Sequence, residues 1–278
     1  PDRFIIGEHD PEGPQPLHDL GFDSVWLLST CDNAASMSNS WKGNIGRLES
    51  LVCLRPGYDK NYQCIKFCMG SHDQCGKRDG HVHDLGHWAG RFGGHGDWKA
   101  RALGRMWWGV MAAGQGLPMC FMGSETHQGG HWHTTLETSF DWALLTDGPE
   151  TFGSQGVANV AAANRVRKTH KSLTQGSSRV LHSDAENGVL AVERFHEPTR
   201  ERLIVVVNAG EQQWDDDVGT YGVNIGPSWG DDVGGFSEIY NSQSEAFGGW
   251  AGSGNAERGV FDQEGEMIHI NIPKLSVM

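Results

Sequence analysis

No stretch of this chain approaches the roughly 20 consecutive apolar residues that cross a bilayer; the longest uncharged run, around Met106 to Met122, is broken by Gly and Pro. A membrane-spanning protein is therefore not expected. Clusters of Lys and Arg are also missing, and the formal net charge of −13 repels phosphate backbones and anionic lipids, which excludes nucleic acid and membrane surfaces as expected partners. Cysteine is absent from the second half: Cys31, Cys53, Cys64, Cys68, Cys75 and Cys120 all lie in the first, without the even spacing of a small disulfide scaffold, so reduced thiols are expected. Tyrosine is scarce, four residues against eleven tryptophans. Flat apolar rings either fill a core or stack on pyranose faces, and so many of them lean towards sugars. The sequence opens at Pro1 with neither an initiator Met nor a signal-like apolar stretch. N-terminal targeting information is thus absent from it, and a cytoplasmic or plastid location is the expectation.

What is present divides near residue 175. Up to about Lys171, short apolar runs alternate with longer polar or helical stretches, which predicts βα units around a parallel sheet. Strands are expected at Phe4 to Gly7, Ser24 to Leu28, Cys64 to Met69 and Pro118 to Met122. A helix is expected from Asp97 to Ala113, with Asp97 as N-cap and Ala100, Leu103, Trp107 and Met111 at helical spacing; Gly104 and Gly109 count against it. A second helix, from about Val157 to Lys171, carries Val157, Val160, Ala161, Asn164 and Val166 and ends in basic residues that suit a helix C-terminus. Beyond Gly176 the runs at Gly188 to Phe195, Leu203 to Val207, Gly235 to Tyr240 and Met267 to Ile272, separated by Gly/Asp/Ser turns, predict a small antiparallel sandwich.

Three constellations could carry chemistry. In Phe4-Ile5-Ile6-Gly7-Glu8 a buried-type strand delivers a carboxylate at its C-terminal end, where the active sites of parallel barrels lie; a solvated loop acid is the competing reading. Asp23, in Leu20-Gly21-Phe22-Asp23, reads as a turn or cap residue. In Ile65 to Gln74 another strand delivers His72, Asp73 and Gln74 side by side. A histidine beside a carboxylate can bind sugar hydroxyls while the charge stabilises an oxocarbenium-like transition state, or the segment is a structural turn. Gly116 to Glu125 repeats the theme, with His127, His131, Trp132 and His133 following.

Taken in order, strand-Glu8, Leu20 to Asp23, Ser71-His72-Asp73-Gln74 and Pro118 to Glu125 resemble the second half of the barrel of the α-amylase superfamily. The resemblance continues through Phe140-Asp141-Trp142, Asn164-Arg165, Glu238 to Ser242, Phe247-Gly248-Gly249 and Gly254-Asn255. The Ser-His-Asp-Gln variant and the Asn-Ser…Phe-Gly-Gly segment look most like 1,4-α-glucan branching enzymes. The resemblance implies an α/β fold: residues 1–175 as the C-terminal half of a (β/α)8 barrel, about strands five to eight, and residues 176–278 as an all-β antiparallel sandwich. It implies Glu8 as general acid/base, Asp73 as transition-state stabiliser, His72 as a sugar-binding histidine and Gln74 as a neighbouring contact. The expected substrate is an α-1,4-glucan such as glycogen, amylose or starch, with no cofactor.

The superfamily's nucleophile is an Asp in an Arg-x-Asp motif ahead of the acid/base, and no Arg-x-Asp occurs anywhere in these residues. The sequence is therefore expected to be part of a longer protein, or of a split one whose partner supplies the first half, and to be inactive alone. His81, His83, Asp84 and His87 crowd together, and His83 and His87 have the i, i+4 spacing of metal ligands. The flanking glycines argue for a loop instead, and no H-E-x-x-H is present, so no metal is expected. A hydrolase of the same superfamily, amylolytic or trehalose-releasing, and a noncatalytic glucan-binding protein remain alternatives.

Overall fold

Four short parallel strands organise the first part of the chain. In the computed structural model, which describes residues 3–8, 13–41, 43–76, 86–132, 140–146, 151–227 and 235–278, β1 (Ile6–Gly7), β2 (Ser24–Trp26), β3 (Cys64–Lys66) and β4 (Leu117–Pro118) pair in that order. Helices carry the crossovers that parallel pairing requires: α1 (Gln15–Asp19), α2 (Ser29–Asn39), α3 (Ile45–Val52), α4 (His72–Cys75), α5 (Trp88–Arg91) and α6 (Trp98–Ala113). Each of the four expected strands overlaps an observed one, which is shorter than expected; the fourth shares only Pro118 with the expected Pro118 to Met122. β1 has β2 as its one partner in the sheet, and Phe4, Ile5 and Ile6 are each about half exposed. The Asp23 carboxylate accepts a hydrogen bond from the Ile5 backbone N–H at 2.8 Å, the structural role the sequence suggested. β4 ends at Pro118, and the Met119 N–H beyond it still donates to Lys66 O of β3 at 2.9 Å.

Helix α6 is the keel of the molecule. Asp97 Oδ1 accepts from the Ala100 N–H at 2.9 Å, so the predicted N-cap forms. Every residue from Ala100 to Ala112 is buried, not just the predicted stripe. The reason is a neighbour on each side: α3 and α5 pack against α6, as do α8 (Phe152–Thr169) and, from the antiparallel sheet, β11 (Ser276–Val277). Gly109, a poor helix former, sits where a Cβ would lie 2.2 Å from Val277 Cγ1; it is the point of closest approach between α6 and β11. The last carbonyls of α6 have no intrahelical partner. Arg167 of α8 donates to Ala112 O (2.7 Å), Gly114 O (3.0 Å) and Gly116 O (2.6 Å), and Arg194 donates to Ala113 O. Two buried guanidinium groups thus complement the negative end of the helix dipole and tie three layers together.

Between α6 and α8 lies the short α7 (Ala143–Thr146). α8 begins earlier than expected, with Thr151 Oγ1 accepting from Ser154 N at 3.2 Å. Its buried positions are Gly153, Gly156, Asn159, Ala163 and Arg167, whereas Val157 is exposed. Small residues, rather than the valines, form the contact stripe because α8 approaches α6 and the 123–128 turn closely.

After α9 (Lys171–Thr174) the chain enters an all-β region. β5 (Ser177–Asp184), β6 (Val189–His196) and β7 (Glu201–Asn208) form an antiparallel sheet in the order β11-β7-β6-β5. β8 (Tyr221–Asn224), β9 (Gln263–Glu264) and β10 (Met267–Ile270) form a second, ordered β8-β10-β9. The continuous apolar run of β6 has a direct cause. Val189 and Ala191 face the second sheet with Val223, Ile268 and Ile270, while Leu190 and Val192 join the core that contains Trp107, Val110 and Met111 of α6. Both faces of the strand are covered, so the polar alternation of a half-exposed strand disappears.

The Glu238 to Asn255 motif is a structural knot. Glu238 Oε2 accepts from the Asn255 N–H (2.7 Å) and Nδ2 (3.2 Å), and the Tyr240 hydroxyl donates to Asn159 Oδ1 of α8 at 2.6 Å. Gly249 lies against the chain here: a Cβ would fall 1.7 Å from Gln243 O. Gly249→Ala is accordingly expected to destabilise the protein by about 2–3 kcal/mol through overpacking, read as a lower urea midpoint at unchanged m-value. No helix among the described residues is long and apolar enough to cross a membrane.

Candidate functional site

The acidic residues singled out in the sequence follow the C-terminal ends of two strands of one parallel sheet, β1 and β3, with β2 between them. Glu8 follows β1 directly and is exposed. His72 and Asp73 follow β3, two strands away, which sets the strand ends about 10 Å apart at the usual inter-strand spacing. The chain reaches them through Gly70, whose φ of 100° turns the backbone out of the sheet.

Five residues after β3 the sequence builds its own support. Ser71 is the N-cap of α4: its Oγ accepts from the Asp73 N–H at 3.2 Å, while Gln74 Oε1 accepts from the Ser71 N–H (2.9 Å) and Oγ–H (2.7 Å). This reciprocal capping box fixes the two residues between its arms, His72 and Asp73. Their side chains lie 3.6 Å apart, His72 Nε2 to Asp73 Oδ1, and remain partly open, at 46% and 26% relative exposure. Gln74 therefore has a positional duty: its carbonyl oxygen is engaged by the Ser71 N–H and hydroxyl.

Aromatic rings frame the pair. Trp26, at the C-terminal end of β2, meets the His72 imidazole edge-on at 6.2 Å and Phe67 at 5.3 Å. Trp132 donates its indole N–H to His72 O at 2.6 Å and packs on Phe121 at 5.5 Å. Behind α4, Arg91 donates to Cys31 Sγ at 3.4 Å and to Gly86 O at 2.8 Å. Sequence reading named Trp132 but missed Trp26 and Arg91. The available signal for Trp26 was a large aromatic at the C-terminal end of a strand; Arg91 carried none. Glu125, the acid that closes the third motif, is turned back on its own turn, its Oε2 accepting from Gly123 N at 2.8 Å.

Of the histidine cluster, residues 81–85 lie outside the described residues, as does His133. His87 is buried and stacks on Phe121 at 5.6 Å. Among the described residues no group of three or more His, Cys, Asp or Glu could hold a metal.

Two buried histidines are held neutral. Burial, with Arg91 and His131 nearby, pushes His87 down to about 4. Burial, with Arg105, Arg101 and His95 around it, pushes His127 down to about 3; its ring is wedged against Gly104 of α6 and Gly156 of α8. Both values lie below that of an unfolded histidine, about 6.5, so acid protonates the unfolded chain first. The stability these two groups contribute is therefore fully present above about pH 6.5 and is lost progressively as the pH falls, completely only below the folded values of about 4 and about 3. Urea midpoints measured from pH 7 to 4.5 should fall for the wild type and fall less steeply for His127→Gln; parallel slopes would contradict this.

Comparison with known proteins adds three findings. Residues 180–278 match the family model of the α-amylase C-terminal all-β domain. The 1,4-α-glucan branching enzyme GlgB of Rhodopseudomonas palustris (strain HaA2) is 31% identical over 190 residues, covering 66% of this chain. An Anoxybacillus α-amylase superposes on 99% of the chain with a TM-score of 0.60 at 13% identity, and a protein named AmyP, solved in complex with maltose, superposes on 99% with a TM-score of 0.62 at 13% identity. The chain spans about a quarter of the length of the curated relatives, 24% for the R. palustris enzyme, and about half of the two superposed structures, 51% and 54%.

Proposed function

We propose that residues 1–175 form the second half of a (β/α)8 barrel, that residues 176–278 form its C-terminal sandwich, and that together they supply part of a 1,4-α-glucan branching site. The observation that supports this reading is the convergence of Glu8 with the His72–Asp73 pair at the C-terminal ends of one parallel sheet, the pair clamped by its own capping box. Glu8 protonates the glycosidic oxygen of an α-1,4 linkage as general acid. Asp73 stabilises the oxocarbenium-like transition state, and His72 and the Gln74 amide bind hydroxyls of the sugar being cleaved. The glycosyl group is then passed to a 6-hydroxyl of another glucan, whose proton returns to Glu8.

Retention requires a second carboxylate about 5 to 5.5 Å from the first, on the opposite side of the anomeric carbon. No Arg-x-Asp is present to provide it. On this reading the nucleophile comes from residues outside these 278, and the chain by itself is inactive. Amylose incubated with the purified chain should keep its iodine absorption spectrum unchanged; a shift would show that the chain turns over without an added nucleophile. The α-amylase and maltose-bound AmyP superpositions keep hydrolysis open as a second reading, in which water replaces the acceptor hydroxyl.

A further inference from the structure

We infer that the groove beside Trp250 is a second glucan-binding site, one that stacks a pyranose on the Trp250 ring and takes its hydroxyls on Glu245 and Glu257. The inference rests on the α-glucan reading above but uses none of its catalytic residues. The groove has a volume of about 180 Å³ and is lined by Glu238, Ser244, Glu245, Trp250, Gly252 and Glu257, among others. That is small for a drug-sized ligand and suits a single ring of a longer chain.

Its aromatic wall is braced. The Trp250 ring lies 5.8 Å from that of Trp98 at an interplanar angle of 50°, and Lys274 Nζ sits 5.0 Å over the Trp98 ring. The Trp250 backbone is pinned by N–H donation to Gln243 O at 3.2 Å. The floor is the Glu238–Asn255 knot, with Asn241 Nδ2 donating to Ser253 Oγ at 3.3 Å. On the rim, Glu245 and Glu257 are exposed and carry no ion pair among the described residues. A pyranose presents an apolar face edged by hydroxyls that donate to carboxylates, so a rigid aromatic plane flanked by open carboxylates matches both parts of it.

Placement gives the groove a use. α6 joins β3 to β4 in a parallel sheet, so it runs antiparallel to both strands. Its N-terminus, with Trp98, therefore lies towards the end of the sheet from which the β3 and β4 loops emerge. A long glucan anchored in the groove is kept at the end of the molecule that carries His72 and Asp73.

The test is titration of the purified chain with maltoheptaose, followed by tryptophan fluorescence and calorimetry. Saturable binding is expected, weakened at least tenfold by Trp250→Ala and retained by Trp250→Phe. Because Trp250→Ala also loosens Trp98, a Glu245→Lys/Glu257→Lys double variant, altered only at exposed positions, provides the second reading and should weaken binding at least fivefold. Wild-type affinity in both Trp250→Ala and the double variant overturns the inference, as does the absence of saturable binding by the wild type. Preference for choline over maltoheptaose does so too, since it would make the carboxylates a cation site. Branch formation by the native protein, scored in parallel, tests the catalytic reading alone, so the two can fail separately.

Discussion

Replacing Trp107 with alanine is expected to destabilise the protein by about 3–5 kcal/mol, the largest loss of any single core substitution considered. Trp107 is fully buried in the middle of α6, in the core shared by α3, α6, β6, β7 and β11. Its indole N–H donates to Ser38 Oγ at 2.8 Å, and the Ser38 hydroxyl in turn donates to Ala34 O at 2.8 Å. Truncation opens a cavity between both layers and strands a buried acceptor. For a chain of this size the melting temperature should fall by roughly 10 °C or more. Trp107→Phe keeps most of the volume and loses the hydrogen bond, so it should cost about 1–2 kcal/mol. A scanning-calorimetry experiment in which the alanine variant melted within 2 °C or so of wild type would show that α6 is not the shared keel.

The second large effect is catalytic. In the native protein that carries these residues together with a nucleophile, Asp73→Asn should lower kcat by on the order of 10³-fold, because it removes the negative charge placed to meet the oxocarbenium-like transition state. Glu8→Gln should lower it comparably for substrates with a poor leaving group. The capping box predicts a graded pattern around them. Ser71→Ala and Gln74→Ala each break one arm of the box that holds His72 and Asp73, and should reduce kcat by roughly tenfold while KM changes less. Equal losses at Gln74 and Asp73 would instead make the bond of the Gln74 amide to the sugar, rather than its arm of the capping box, its main contribution.

How much of this was legible in the sequence depended on whether local chemistry or distant packing decided the outcome. The α6 N-cap at Asp97 and the Ser71-His72-Asp73-Gln74 segment are short-range patterns, and both form as local rules require. The positions of the four parallel strands were also readable, while their ends were not, since those depend on where the neighbouring strand stops pairing. The buried face of α8 was misjudged because close helix contact favours Gly153, Gly156 and Ala163 over the valines that periodicity weights. β5 and β8 went unseen: β5 is an edge strand with an irregularity between Val180 and His182, and β8 is four residues long and includes a glycine. The segment from Gly235 to Tyr240, expected as a strand, makes one bridge, Phe236 to Phe261, and otherwise spends Glu238 and Tyr240 on side-chain bonds. At the site, the candidate acids stood out by their strand-end positions and Trp26 had only its place at a strand end to mark it, whereas the Arg91 support was fixed by tertiary packing and left no local trace.

Branching and hydrolysis consume the same linkage and differ in what receives the glycosyl group, so product analysis decides between them. The most direct measurement is the proton NMR spectrum of amylose after incubation with the native protein that carries these residues, read together with a reducing-end assay. The account predicts new α-1,6 anomeric signals with no matching rise in reducing ends, and loss of those signals in Asp73→Asn. Reducing ends or trehalose accumulating without α-1,6 signals would contradict it.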